Sequence, residues 1–202
     1  STQAKTLFPY TTLFRSMQIK VKEIAKIQFG HYSIAGKSND VPYLQAKHFD
    51  DQGQYSYSCD TFLENKQVIP ENELKEGDVL FISKGFRFFA TAYKKDWGRV
   101  VASSVFFVLE VDKSKVLPEY LATVLNLPQS QAYFQQAASS STIPSIRKNE
   151  IADFIFNCVS LEQQKKIVAL KQLHLNEINI AKKIISEKQN QIQAALIKLI
   201  NQ

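Results

Sequence analysis

The stretch that most limits what this chain can fold into is Leu161 to Gln202. It holds no Pro and no Gly and is rich in Gln, Lys, Leu, Ile and Ala, residues that mostly favour helix, so one long helix is expected there. Ile178, Ile185, Ile192 and Leu199 recur every seven residues, and Ala181 and Ala195 follow Ile178 and Ile192 by three. Lys188 and Gln202 occupy the other two places of that second register and weaken it. A further row, Ile180, Ile184, Leu196 and Ile200, widens the apolar face. At 1.5 Å per residue the helix reaches roughly 60 Å, longer than a small domain needs for its own core. It is expected to lie along another long helix, most simply a copy of itself. The alternative is a terminal helix folded back on its own domain.

The 202 residues allow one domain with an appendage, or two small domains. No run of apolar residues is long enough to span a membrane. Cys59 and Cys158 are too few and too far apart for a disulfide framework, which suits a reducing, cytoplasmic compartment. With three scattered histidines, no metal site and no cofactor is expected.

Residues 1–16 stand apart. The stretch TLFPYTTLFRS, Thr6 to Ser16, reads as an in-frame translation of a sequencing adapter, and patterned sequence begins at Met17. It is expected to be a non-native scar, and the natural gene could have continued upstream. A signal peptide fits less well, because the apolar core is short and interrupted by Pro9. Setting it aside leaves 23 basic against 19 acidic residues, and the surplus lies in the terminal helix, where seven Lys face three Glu. The rest is neutral but uneven: five basic residues and one acid between Lys84 and Arg99, six acids and two lysines between Asp60 and Asp78. A neutral body with a basic loop points to a local anionic contact.

Read in order, Met17 to Phe29 suggests a strand, a turn of helix and a second strand ending at Gly30. Gly30 to Ser38 is a near miss to a phosphate-binding loop, with one residue too many and Pro42 where a helix should run. Pro42 to Tyr55 suggests a strand, a helical turn and a turn at Gln52-Gly53. Val79 to Ile82 reads as a buried strand launched by Gly77-Asp78. Phe88 to Tyr93 is a second apolar stretch, and Lys94 to Arg99 a polar turn carrying Trp97. Val100 to Val111 is a strand pair or one bent strand. Pro118 and Pro128 each suit the first turn of a helix, the second running to Ala138. Ile151 to Val159 reads as a last strand. Ser160 and Gln163 form a weak capping box for the terminal helix. The expected fold class is mixed α/β: a twisted-sheet domain with short helices over residues 17–160, then a coiled-coil-like helix over residues 161–202.

Five pieces, in order, resemble one family. VKEIAKIQFG, VPYLQAKHFDDQGQY, LKEGDVLFISKG, LPEYLATVL and STIPSIRKNEIADFIF followed by VSLEQQKKIV are similar to segments of type I restriction–modification DNA specificity subunits. SLEQQKKIV is the sharpest piece, although Val159-Ser160 stand where the family usually has prolines. The resemblance covers nearly all of Met17–Gln202 and implies one target-recognition domain with one conserved helix, half of the family's usual pattern. It implies a chain that reads a few base pairs of double-stranded DNA and has no catalytic residues of its own. Methyltransferase and restriction subunits would dock on it. A second specificity half, most simply in a homodimer, would pack along the terminal helix through Ile178, Ala181, Ile185, Ile192, Ala195 and Leu199.

Major-groove reading needs cations and amides on loops held by a sheet, with phosphate contacts for register. Lys84, Arg87, Lys94, Lys95 and Arg99 suggest a basic lobe, with Phe86 and Tyr93 interleaved. Ser140, Ser141, Arg147 and Lys148 add hydroxyls and cations on another loop, and His31, Tyr32 and Lys37 lie on a third. Arg87 is expected at a base edge, and Lys94, Lys95 and Lys148 at phosphates. Two other classes stay open. A metal-dependent nuclease could use Glu64 and Lys66 with Asp50 and Asp51, and a coiled-coil adaptor would bind no DNA.

Overall fold

The run Asp78–Ile82 is apolar at four of its five positions, and all five residues are buried. Such a segment fits the middle of a sheet covered on both faces. It forms β5, flanked by β6 (Ala90–Ala92) and β8 (Phe106–Val111), antiparallel to both. β2 (Ala25–Phe29) pairs with the far side of β8, giving the order β2-β8-β5-β6. This computed structural model describes residues 17–36, 40–50, 53–56, 58–138 and 142–201.

Two smaller sheets flank the first. β3 (Val41–Leu44) lies between β4 (Phe62–Leu63) and β7 (Val101–Ala102), antiparallel to β4 and parallel to β7. β1 (Met17–Lys20) pairs antiparallel with β9 (Ile155–Cys158). The segment Val100 to Val111 is thus a strand pair, and its two strands belong to different sheets. The break falls at Ser103, which bonds back to the Leu44 carbonyl while Phe106 N donates to the Ser103 carbonyl.

Two helices follow: α1 (Pro118–Leu125) and α2 (Pro128–Ala138), each with Pro in its first turn, where the missing N–H has no intrahelical partner to lose. The expected strand from Ile151 to Val159 is corrected by the structure. Lys148–Ala152 is a short helix, α3, and only Ile155–Cys158 is extended. Glu150 accepts the Arg147 N–H and so caps that turn, while Ile151 is wholly buried.

The core is aromatic. Phe81, Phe106, Phe107 and Phe134 are each less than 2 % exposed. Trp97, expected on a polar turn, is instead a buried anchor. Its ring lies 4.9 Å from Tyr55, 5.7 Å from Tyr93 and 5.8 Å from Phe49, inside the distance at which aromatic pairs attract. Gly30 is required by a close approach: a Cβ there would stand 2.1 Å from the Ser103 carbonyl oxygen.

Asp78 is the one acid in the central strand. Its carboxylate accepts the Lys75 N–H at 2.7 Å, and Glu110 is its cross-strand neighbour. Burial pushes its pKa upward, the Lys75 bond partly offsets this, and Glu110 adds to the rise. A folded-state pKa above the unfolded one means stability is fully present below the unfolded value and falls as pH rises through the folded one. Asp78→Asn is therefore expected to raise the melting temperature at pH 7, with an advantage that shrinks as pH enters the carboxylate range. A gain of equal size at pH 4 and pH 7 would show that charge is not its source.

The chain divides into two compact units, residues 1–164 and 165–202. α4 runs unbroken from Leu161 to Ile200. Its start is capped as expected, with Ser160 N donating to Gln163 Oε1 at 3.3 Å and Gln163 N to Ser160 Oγ at 3.4 Å. Gln164 in its first turn is fully buried. Gln164 Oε1 accepts the Leu117 N–H at 2.8 Å, and Nε2 donates to the Val159 and Lys115 carbonyls at 2.8 and 3.0 Å. No helix among the described residues is long and apolar enough to cross a membrane.

Candidate nucleic-acid interface

Strand register places the loops. At one end of the four-stranded sheet, Ile82 lies opposite Phe106, Phe89 bonds to Ile82, and Gly30 N donates to the Phe106 carbonyl. The segment after Gly30, the turn around Ser104 and the Lys84–Phe88 hairpin loop therefore share this end. At the other end, Asp78 lies opposite Glu110, and Tyr93 N donates to the Asp78 carbonyl. Lys94 and Lys95 follow Tyr93 there. About 14 Å of strand separates the two ends.

The basic lobe inferred from sequence proximity is thus divided. Lys84 and Arg87 stand at the first end and Lys94 and Lys95 at the second. A different set of cations joins Lys84. Lys84 and Ser145 form a β-bridge, Gly85 N donates to the Pro144 carbonyl at 2.9 Å, and Ile146 N donates to the Ser83 carbonyl at 2.8 Å. These bonds fasten the Lys84 loop to the segment carrying Arg147 and Lys148. Lys84, Arg87, Arg147 and Lys148 are all exposed. Arg87 lies with its guanidinium carbon 5.9 Å from the Phe89 ring centre, within cation–π range.

The acidic run is largely neutralised within the domain. Lys47 reaches Asp60 at 2.7 Å, Lys66 reaches Glu64 at 2.7 Å, Arg99 reaches Glu73 at 2.8 Å and Lys113 reaches Glu76 at 3.4 Å. Asp60 also accepts Thr61 Oγ1 and lies 2.8 Å from His48 Nε2. Gln45 N donates to His48 Nδ1, so Nε2 carries the proton that meets Asp60. The Lys47, His48 and Thr61 hydrogen bonds hold the Asp60 pKa well below the usual carboxylate range. By contrast Lys84, Arg147 and Lys148 have no ion-pair partner among the described residues. Unneutralised cations on paired loops are what an anionic backbone needs.

The other predicted residues are distributed as follows. Arg99 is engaged by Glu73 and by Asn65 Oδ1. His31 is half-buried, with Asn72 Nδ2 at 2.9 Å from its Nδ1, and Tyr43 Oη donates to its carbonyl at 2.6 Å. Tyr32 beside it is 79 % exposed. Lys37, Ser140 and Ser141 lie outside the described residues. The nuclease candidates Glu64 and Lys66 pair with each other, and Asp50 accepts the Gln54 N–H. Asp51 lies outside the described residues, and among those described no cluster of His, Cys, Asp and Glu could hold a metal ion. Along the terminal helix Ile178 is half-buried, while Ala181, Ile185, Ile192, Ala195 and Leu199 are exposed.

Sequence reasoning missed Gln164 as the buried latch of α4, and missed the fastening of the Lys84 loop to Ser145. The first carried a signal, the Gln-Gln of SLEQQKKIV. The second had none beyond two pieces matching the same family, because its partners are 61 residues apart.

A sheet with joined basic loops at one end, followed in sequence by a 40-residue helix, defines a class: a mixed α/β domain with a long C-terminal helix. The chain belongs to the family of the type I restriction modification DNA specificity domain, whose sequence profile matches residues 16–191. Three solved structures share the fold. A chain from a study of complex assembly and conformational transition of the type I R-M system is 17 % identical, with 93 % of this chain and 45 % of that one covered and a TM-score of 0.60. The HsdS subunit from Thermoanaerobacter tengcongensis is 16 % identical, covering 92 % and 48 %, with a TM-score of 0.61. The type I restriction-modification S subunit from M. genitalium is 10 % identical, covering 81 % and 40 %, with a TM-score of 0.58. The chain thus spans a little under half the length of these solved chains. No curated protein matches it.

Proposed function

We propose that this chain is a DNA-binding half of a type I restriction–modification specificity subunit. Its recognition domain, residues 17–160, reads a few base pairs of double-stranded DNA in the major groove. The helix over residues 161–202 spaces it from a second half, in a homodimer that selects an interrupted, palindromic site. It supplies no catalytic residues; the docked methyltransferase and restriction subunits carry out the chemistry, in the cytoplasm. The observation that carries this reading is the joining of the Lys84 loop to the Arg147 segment by the two backbone hydrogen bonds of the Lys84–Ser145 bridge. It brings together two loops distant in sequence, on which Lys84, Arg147 and Lys148 have no ion-pair partner among the described residues.

Binding to duplex DNA should weaken as salt rises, because each phosphate contact releases counterions at a logarithmic slope of about 0.9. Neutralising Lys84, Arg147 and Lys148 together should lower that slope by about 3, whereas Lys94→Ala should leave it unchanged. Arg87→Ala should remove the preference at one position of the target, a loss of about 1–3 kcal/mol for a bidentate base contact. Equal losses on target and random duplex would move Arg87 from the bases to the backbone. Magnesium-dependent cleavage of plasmid by the chain alone, abolished by Glu64→Ala, would replace this reading with the nuclease. Absence of DNA binding at low salt, with and without methyltransferase, would leave the adaptor.

A further inference from the structure

Phe86 is 83 % exposed, the most exposed large hydrophobic residue among those described. It is not on a slack segment. Ser83 N donates to the Val105 carbonyl at 2.7 Å, Gly85 N to the Pro144 carbonyl at 2.9 Å and Ile146 N to the Ser83 carbonyl at 2.8 Å. On its other side Phe88 and Phe89 are buried. Gly85 has a φ of 120° and open space where a side chain would stand; that backbone conformation, natural only to glycine, turns the chain outward at Phe86. A phenyl ring is therefore held in water at the tip of a braced hairpin, between Lys84 and Arg87.

This placement selects one kind of contact. A protein-docking face would offer a continuous apolar patch, but Phe86 is flanked in sequence by Lys84 and Gly85 on one side and by Arg87 on the other. Cations beside the ring bring it to a polyanion and fix its depth there. A phenyl ring neither donates nor accepts a hydrogen bond, so at the edges of base pairs it can discriminate only through apolar contact. In the major groove the apolar group that distinguishes one base from the others is the thymine C5-methyl.

We propose that Phe86 is a specificity-determining residue that packs on a thymine methyl group in the major groove. The proposal rests on the DNA-recognition reading above and adds the chemistry of one position in the target. It requires the target to contain a thymine whose methyl matters, and it requires that sensitivity to travel with Phe86.

The test uses the full chain, alone and with a methyltransferase subunit bound, on a duplex library with randomised positions. The selected duplex is then remade with deoxyuracil in place of each thymine in turn, which removes only the methyl. One such replacement should weaken wild-type binding about fourfold, the factor that burying a single methyl supplies. Phe86→Ala should bind the two duplexes equally and should melt at the wild-type temperature, because the ring is exposed. Phe86→Leu, still apolar, should keep part of the discrimination. If no thymine is sensitive, or if Phe86→Ala retains the sensitivity, the proposal falls and the DNA reading stands. If the wild type selects no sequence in either form, both fall. If Phe86→Ala leaves DNA recognition intact but loses the methyltransferase, the ring belongs to a protein contact and the proposal is overturned.

Discussion

Gln164→Ala is expected to destabilise the recognition domain by about 3 kcal/mol, because it removes a buried amide that hydrogen-bonds three backbone groups at once. The Leu117 N–H and the Lys115 and Val159 carbonyls all end on this one amide, which is wholly buried. For a domain of this size the loss corresponds to a fall of about 6–12 °C in melting temperature. Gln164→Glu should be no milder at neutral pH. It keeps the acceptor for Leu117, but it turns two donors into a buried carboxylate facing two carbonyl oxygens. Its stability should recover in part as pH falls, since the protonated acid can again donate. The adjacent Lys165→Ala, on an exposed side chain, serves as control and should stay within about 0.5 kcal/mol of wild type. A Gln164→Ala protein that melts within a degree or two of wild type would mean that water replaces the amide, and the latch would lose its claim.

Replacing Ile185 and Ile192 together with Glu should abolish self-association of the full chain. Both side chains are more than half exposed in one copy, at 57 % and 58 %, and Leu199 is 68 % exposed. Each isoleucine buried against a partner helix contributes about 2 kcal/mol, and a dimer buries both pairs, so the loss in association should exceed about a hundredfold. Sedimentation at micromolar concentration reads the result directly. The proposal that the second half is a copy of this chain expects a dimer for wild type and a monomer for the variant. A wild-type monomer at high concentration would instead require a partner helix from another chain. A variant that remains dimeric would place the contact away from the heptad row. Lys182→Glu, on the same helix but off that row, should leave the dimer in place.

Much of the fold could be read from local chemistry. Val79–Ile82 has no polar residue to turn toward water, so it had to be a central strand, and it is. Pro118 and Pro128 mark helix starts because proline's fixed φ suits the first turn. The terminal helix follows from forty residues without a breaker. The misreadings have two causes, one tertiary and one local. Trp97 sits among Lys, Asp and Gly, which signal a surface turn, yet its ring is drawn inward by Phe49 and Tyr55, which come from more than forty residues away. Ile151 looked like the start of a strand because apolar residues surround it, but Glu150 capping Arg147 makes a helical turn first.

The candidate interface was legible only in part, because tertiary contacts decide it. Lys84, Arg87, Lys94 and Lys95 are near each other along the chain, and counting charge in a window put them in one lobe. β6 runs through that window, and the extended run from Phe89 to Tyr93 carries its two ends about 14 Å apart. Arg99 counted as a free cation until Glu73 came beside it.

The amino-acid order alone determined most of the segments that are helix or strand, that a long apolar seam lies on the last helix, and which family the motifs resemble. These depend on neighbours within one or two turns. Only the tertiary structure decided which loops share an end of the sheet, which cations the acids neutralise, and why a glutamine stands at the root of the helix. Those are set by contacts between residues tens of positions apart, where register, not composition, determines what touches what.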